Sequence, residues 1–255
     1  MRTSNNPVFN KVNNLSQSAD ENVRINEGGE FVLENATYKG VGLKIIYFLI
    51  LTILSAFGGI LLSVTFPDLF YIFFIISIFT GFISAIIAMS QFKLSLVFGS
   101  IYCVGEGMFL GILSMVLEAI IPGIVIAVVC ATLAVVLICG VLFLTKIVRV
   151  TNVFYRFLTV AMFGFLVSLL LISILGWIGI LDTSNFGLSV AVSAISILIA
   201  SFVLISDMER ARQLVENGGP KACEWMIAFG ISYTVLWIYI ELLRLALIIF
   251  ANSQN

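Results

Sequence analysis

Seven stretches of about 20 or more mostly apolar residues divide the chain. They lie near Gly42 to Val64, Leu69 to Met89, Leu94 to Val116, Pro122 to Thr145, Phe157 to Leu181, Phe186 to Ile205 and Met226 to Ala251. As helix, each is long enough to cross the roughly 30 Å hydrocarbon core of a bilayer. The pattern predicts an all-α, polytopic membrane protein with seven transmembrane helices. Composition closes off the alternative of a soluble globular domain. Hydrophobic residues make up 61% of the chain, charged residues 11%, histidine is absent and the mean hydropathy is +1.16, far from the soluble range.

Basic residues set the expected orientation. Lys39, Lys44, Lys93, Lys146, Arg149, Arg156, Arg210, Arg212 and Lys221 all fall in alternate connections, whereas the connections between them carry only Asp68, Glu118 and Asp182. Lysine and arginine are retained on the cytoplasmic side, so the N-terminus is expected inside and the C-terminus outside. Residues 1–38 read as a polar cytoplasmic arm, flexible or loosely packed, and residues 39–255 as the transmembrane domain. The arm lacks the apolar core of a cleaved signal peptide. Its mixture of Arg2, Lys11 and Arg24 with Asp20, Glu21, Glu27, Glu30 and Glu34 is not a polybasic lipid anchor. Cys103, Cys130, Cys139 and Cys223 show no CxxC spacing, and those within apolar runs read as small hydrophobes.

The third run repeats a small residue every four positions at Ser95, Gly99, Cys103, Gly107 and Gly111. Such a face lets helices approach closely in lipid, which predicts a central place for this helix. In the fifth run, Gly164, Gly176 and Gly179 mark points where a bend would be cheap.

Four ionisable residues stand where lipid disfavours them: Glu106 in the third run, Asp207 at the inner end of the sixth, and Glu241 with Arg244 in the seventh. A charge at the centre of a membrane helix costs at least about 2.5 to 3.5 kcal/mol on insertion scales, so each needs a partner, water or a proton. Glu241 and Arg244, three apart, can pair within one helix. Three acids against one base leave carboxylates for protons or a cation. Counted from Met226, Glu241 lies about 22 Å along its helix, beyond the midplane, while Asp207 sits near the inner end of its own. Contact between the two would require the sixth helix to continue through Met208 to Glu216, or the seventh to begin in an interfacial turn at Lys221 to Trp225.

Several stretches resemble the Bax inhibitor-1 family of seven-helix membrane proteins, including its bacterial YccA-like members. They are Gly105-Glu106-Gly107 with Leu110-Gly111, Leu204-Ile205-Ser206-Asp207, and Ile238-Tyr239-Ile240-Glu241-Leu242-Leu243. The opening Ser4-Asn5-Asn6-Pro7-Val8-Phe9 and the segment Gly219 to Trp225 are similar to a bacterial subgroup. The resemblance implies six helices around a central seventh, and a proton-sensitive pair of acids, on the sixth and seventh helices, controlling a calcium leak. By position, Asp207 matches the first acid and Glu241 replaces the second, making them the candidate calcium and proton-sensing pair. Lys93 is the nearest match to a basic residue at the inner end of the second helix, and Arg244 stands where a small polar residue is more usual. Glu106, Arg244 and Lys93 complete the expected polar cluster. The implied setting is a bacterial cytoplasmic (inner) membrane.

The expected function is thus a passive, proton-regulated calcium or cation leak in ion homeostasis. The alternative is a non-channel regulator that binds a membrane protease or stress-response partner. Partners in either case are the lipid bilayer, cations and protons, with no nucleic acid and no bound cofactor beyond a calcium ion. Catalysis is not expected. Without histidine the chain cannot build a Ser-His relay or an HExxH zinc site, and it lacks a P-loop and the Gly-Asp motif of intramembrane aspartyl proteases.

Overall fold

The computed structural model describes residues 23–25, 31–66, 70–180 and 185–253, with side chains outside 23–33, 70–74 and 77. The first twenty-two residues of the expected arm therefore lie outside the described part, as do Asp68 and Asp182.

Seven helices follow in the order the apolar runs dictate: α1 (Tyr38–Thr65), α2 (Phe70–Ser90), α3 (Ser95–Ile120), α4 (Ile124–Leu144), α5 (Asn152–Trp177), α6 (Phe186–Glu216) and α7 (Cys223–Ser253). All but α2 are long and apolar enough over described residues to cross a membrane, and α2 shows its apolar stretch at Ile78–Ser90. Successive helices run in opposite directions, so Tyr38, Glu216 and Cys223 share one end of the bundle, called here the arm side. Thr65, Trp177 and Ser253 share the far side.

Helix starts are written in the sequence as side-chain caps. Thr37 Oγ1 accepts from Gly40 N at 3.0 Å, Thr151 Oγ1 from Phe154 N at 3.3 Å, and Asn185 Oδ1 from Leu188 N at 3.1 Å. Hydropathy misplaced several ends. α6 continues to Glu216, eleven residues beyond Ile205, and α7 begins at Cys223 rather than Met226. Both adjustments considered for bringing the acids together are present. The extension of α6 buries Asp207, Glu209 and Ala211 among protein groups, which a hydropathy threshold cannot detect. α5 starts at Asn152, earlier than expected, and ends at Trp177, where Gly179 at φ +81° closes its last turn through Gly179 N to Gly176 O and Ile180 N to Leu175 O. Gly179 thus terminates the helix instead of bending it.

α7 is the hub. α1, α2, α3, α4 and α6 pack on it, whereas α5 packs on α6. α3 is the second hub, as its small face predicted. A Cβ on Gly107 would sit 2.5 Å from Thr52 O, one on Gly111 would run into the Ala56 backbone, and one on Gly59 of α1 would lie 2.7 Å from Met108 O. The backbones of α1 and α3 therefore touch through their glycines. Gly99 makes room for the rings of Phe48 and Phe229, which stack edge-to-face at 5.7 Å.

On the arm side, the described end of the expected arm meets the bundle. Val23–Ile25 and Phe31–Leu33 (β1 and β2) pair antiparallel, and the segment after them is docked. Ala36 N donates to Gly219 O at 2.8 Å, Lys221 N donates to Glu34 O at 3.1 Å, Asn35 bridges Pro220, and Lys221 forms an ion pair with Glu34. The segment entering α1 is thereby fastened to the α6–α7 connection.

Candidate functional site

α6 and α7 lie antiparallel, and their facing surfaces alternate polar and apolar levels. Near the arm side, Asp207 is buried and its Oδ2 accepts from Thr234 Oγ1 at 2.9 Å, while Arg210 Nη1 lies 3.3 Å from its Oδ1. The side chain of Arg210 is 57% exposed and also lies over the Tyr155 ring. Thr234 Oγ1 is at the same time 3.0 Å from Gly230 O. A hydroxyl has one hydrogen and two acceptor positions, so this geometry serves both protonation states of the acid. When Asp207 is ionised, Thr234 donates to it. When Asp207 carries a proton, it donates to Thr234, whose own hydrogen turns to the Gly230 carbonyl.

Toward the far side the seam becomes dry. Leu204 and Ala200 of α6 and Ile238 of α7, all on the far side of Asp207 and Thr234, belong to one buried apolar cluster. One turn past Ile238 comes Glu241, buried, with one carboxylate oxygen that has no hydrogen-bond partner and Arg244 Nη1 3.8 Å away. At the next levels of the buried face of α6, Ser196 and Ser193 have fully buried hydroxyls without partners. Two turns of α7, about 10 Å at 1.5 Å per residue, separate Thr234 from Glu241.

Asp207 and Glu241 thus occupy one helix seam at different depths, with an apolar plug between them. The pairing of Glu241 with Arg244 inside one helix is as anticipated. Glu106 lies on another side of α7. Its Oε2 sits 3.4 Å from the point where a Cβ on Gly81 would stand, in the neighbourhood of Tyr102 and Tyr233. Lys93 is exposed in the turn between α2 and α3, and among the described residues no ion pair joins it to either acid. Arg210 holds the basic position beside Asp207.

A model of one protein family matches residues 6–251 and carries the description Bax inhibitor 1 like. The chain belongs to that family. No curated protein matches it. For this Bax inhibitor 1 like chain, the coarse expectations hold: an all-helical integral membrane protein of seven helices, with the last at the centre of the bundle.

Sequence reasoning missed several groups the structure brings forward. Thr234 gives no signal beyond an ordinary helix residue, and Arg210 enters the sequence reading only as an orientation marker, although, one turn after Asp207, it has the spacing of an i,i+3 pair. Glu209, buried with Arg212 at 2.7 Å and Gln213 at 3.1 Å, was read as part of a loop. Most telling is Glu224, fully buried at the start of α7. Its Oε2 accepts from Lys44 Nζ at 2.7 Å and its Oε1 from Thr37 N at 2.7 Å, while Lys44 also lies 4.7 Å over the Trp225 ring. A Cβ on Gly40 would overlap this carboxylate, so only glycine leaves the space.

For cation binding, the donors along the seam are hard oxygens: the carboxylates of Asp207 and Glu241 and the hydroxyls of Ser193 and Ser196. Calcium takes six to eight such ligands. Among the described residues no three acidic, thiol or imidazole groups gather at one place. One carboxylate at each level falls short of the ligand number that tight calcium retention takes.

Proposed function

We propose that this protein is a proton-regulated passive leak for calcium or a similar cation, running along the α6–α7 seam, with Asp207 and Glu241 as successive stations and the Ala200, Leu204 and Ile238 cluster as the closed gate. Calcium is here cargo rather than a resident ligand. The arm side is then cytoplasmic by the distribution of basic residues, and the membrane is a bacterial inner membrane. The observation that carries the reading is the Thr234 hydroxyl, placed to answer either protonation state of Asp207. A proton can arrive or leave there without stranding a buried polar group, and the change is delivered to the backbone of the central helix at Gly230. Glu241 Oε2 supports a second station: it makes no hydrogen bond and only a long, 3.8 Å ion pair with Arg244, so it keeps lone pairs for a further ligand.

The test is calcium influx into dye-loaded liposomes across a pH series. Asp207→Asn can always donate to Thr234 and imitates the protonated acid, so flux should lose most of its pH dependence. Glu241→Gln should reduce flux at every pH. An unchanged pH response in Asp207→Asn would remove Asp207 as the sensor. Absence of flux in the wild type at all pH values would overturn the leak.

A further inference from the structure

Arg244 has a second neighbourhood. Between the far ends of α5 and α6 the structure opens a cleft of about 420 Å³, walled by Leu169, Ile172, Trp177, Leu188 and Val192, with Ser173 and Ser189 on its sides and Arg244 at its inner wall. We propose that this cleft binds a phosphate group, supplied by a phospholipid of the far leaflet, with the phosphate on Arg244 and an acyl chain along the leucine, isoleucine and valine wall.

Charge complementarity is the first argument. Every other lysine and arginine among the described residues lies toward the arm side, in the arm, in a connection or in the arm-side turns of a helix, so Arg244 is the lone basic residue of the described far half. Its 3.8 Å contact with Glu241 is long for a charge-assisted hydrogen bond, and 46% of its side chain stays exposed. A guanidinium exposed at membrane depth needs an anion or a route to the interface, and phosphate matches its fork of donors. Depth is the second. Arg244 lies nine residues before Ser253, about 13 Å of helix, within reach of headgroups for a long side chain. Trp177, 90% exposed at the rim, is of the type that settles at the membrane–water interface. The third is shape. α5 is held mainly by α6, and Leu169, Ile172, Leu188 and Val192 from these two helices give the cleft an apolar wall of the kind an acyl chain packs against.

The test uses the full chain in detergent, with native mass spectrometry titrating phosphatidylglycerol, a diacylglycerol of the same chains, and inorganic phosphate. The wild type should retain phosphatidylglycerol at least about tenfold better than diacylglycerol, the worth of one charge-assisted contact. Arg244→Gln should erase that preference. Ser173→Phe, which fills the cleft and leaves the charge, should lower retention by a similar factor and decides the matter if Arg244→Gln does not fold. Equal retention of both lipids, or undiminished retention in folded variants, overturns the proposal. Displacement of phosphatidylglycerol by millimolar phosphate would assign the site to the free anion and overturn the lipid source.

Discussion

Glu224 and Glu241 are two buried glutamates on the same helix, and they are treated in opposite ways. Around Glu224 both carboxylate oxygens are engaged, by Lys44 and by the Thr37 amide at 2.7 Å each, and glycine at position 40 keeps the space clear. Around Glu241, Oε2 has no hydrogen bond, and its ion-pair partner Arg244 stands 3.8 Å from that same oxygen. The difference is one of electrostatic satisfaction, in a chain where both acids look equally costly from the sequence. A fully satisfied buried charge holds the helix in place. A less satisfied one keeps oxygen lone pairs for a further ligand, the role proposed here for Glu241.

The comparison can be broken most severely at the satisfied end. Lys44→Met leaves the Glu224 carboxylate buried and uncompensated, which typically costs about 3 to 5 kcal/mol. Thermal unfolding in detergent should show a large drop, and the double variant Lys44→Met with Glu224→Leu should recover a good part of it. A single variant as stable as the wild type would mean the latch carries no weight. At the intermediate site, Thr234→Val removes a buried donor to Asp207 and should cost about 1 to 3 kcal/mol. It should also flatten the pH response of calcium flux, and a stability loss with the response intact would restrict Thr234 to packing. The smallest effect on stability belongs to Glu241→Gln, expected within about 1 kcal/mol of the wild type, because the change removes a charge that is poorly paired to begin with. A loss as large as that of Lys44→Met would show Glu241 to be structural after all.

The order of helices was open to view in the sequence because a membrane span announces itself by length and hydropathy, and the glycine ladder of α3 because its period matches a helix face. The acids were visible by their cost in lipid. Their relation was not. Register between α6 and α7 depends on where each helix starts and stops, and those ends are set by groups such as Glu209, Ala211 and Glu224, whose burial comes from tertiary contact rather than from apolar runs. Lys44 had been counted only as an orientation marker, although its position two turns inside α1 already asked for a counter-charge. Nothing in a single sequence joins it to an acid 180 residues away.

That separation also matters in time. Of the seven helices, α1 leaves the ribosome before α7, so the lysine of the first waits through five intervening helices for the glutamate that neutralises it. The segment Glu34–Thr37 likewise waits for Gly219 to Glu224 before its backbone finds a partner. Completion of the bundle is therefore registered at the start of α1: a nascent chain that still lacks α7 has no Glu224 for Lys44, and arrival of the seventh helix closes the first.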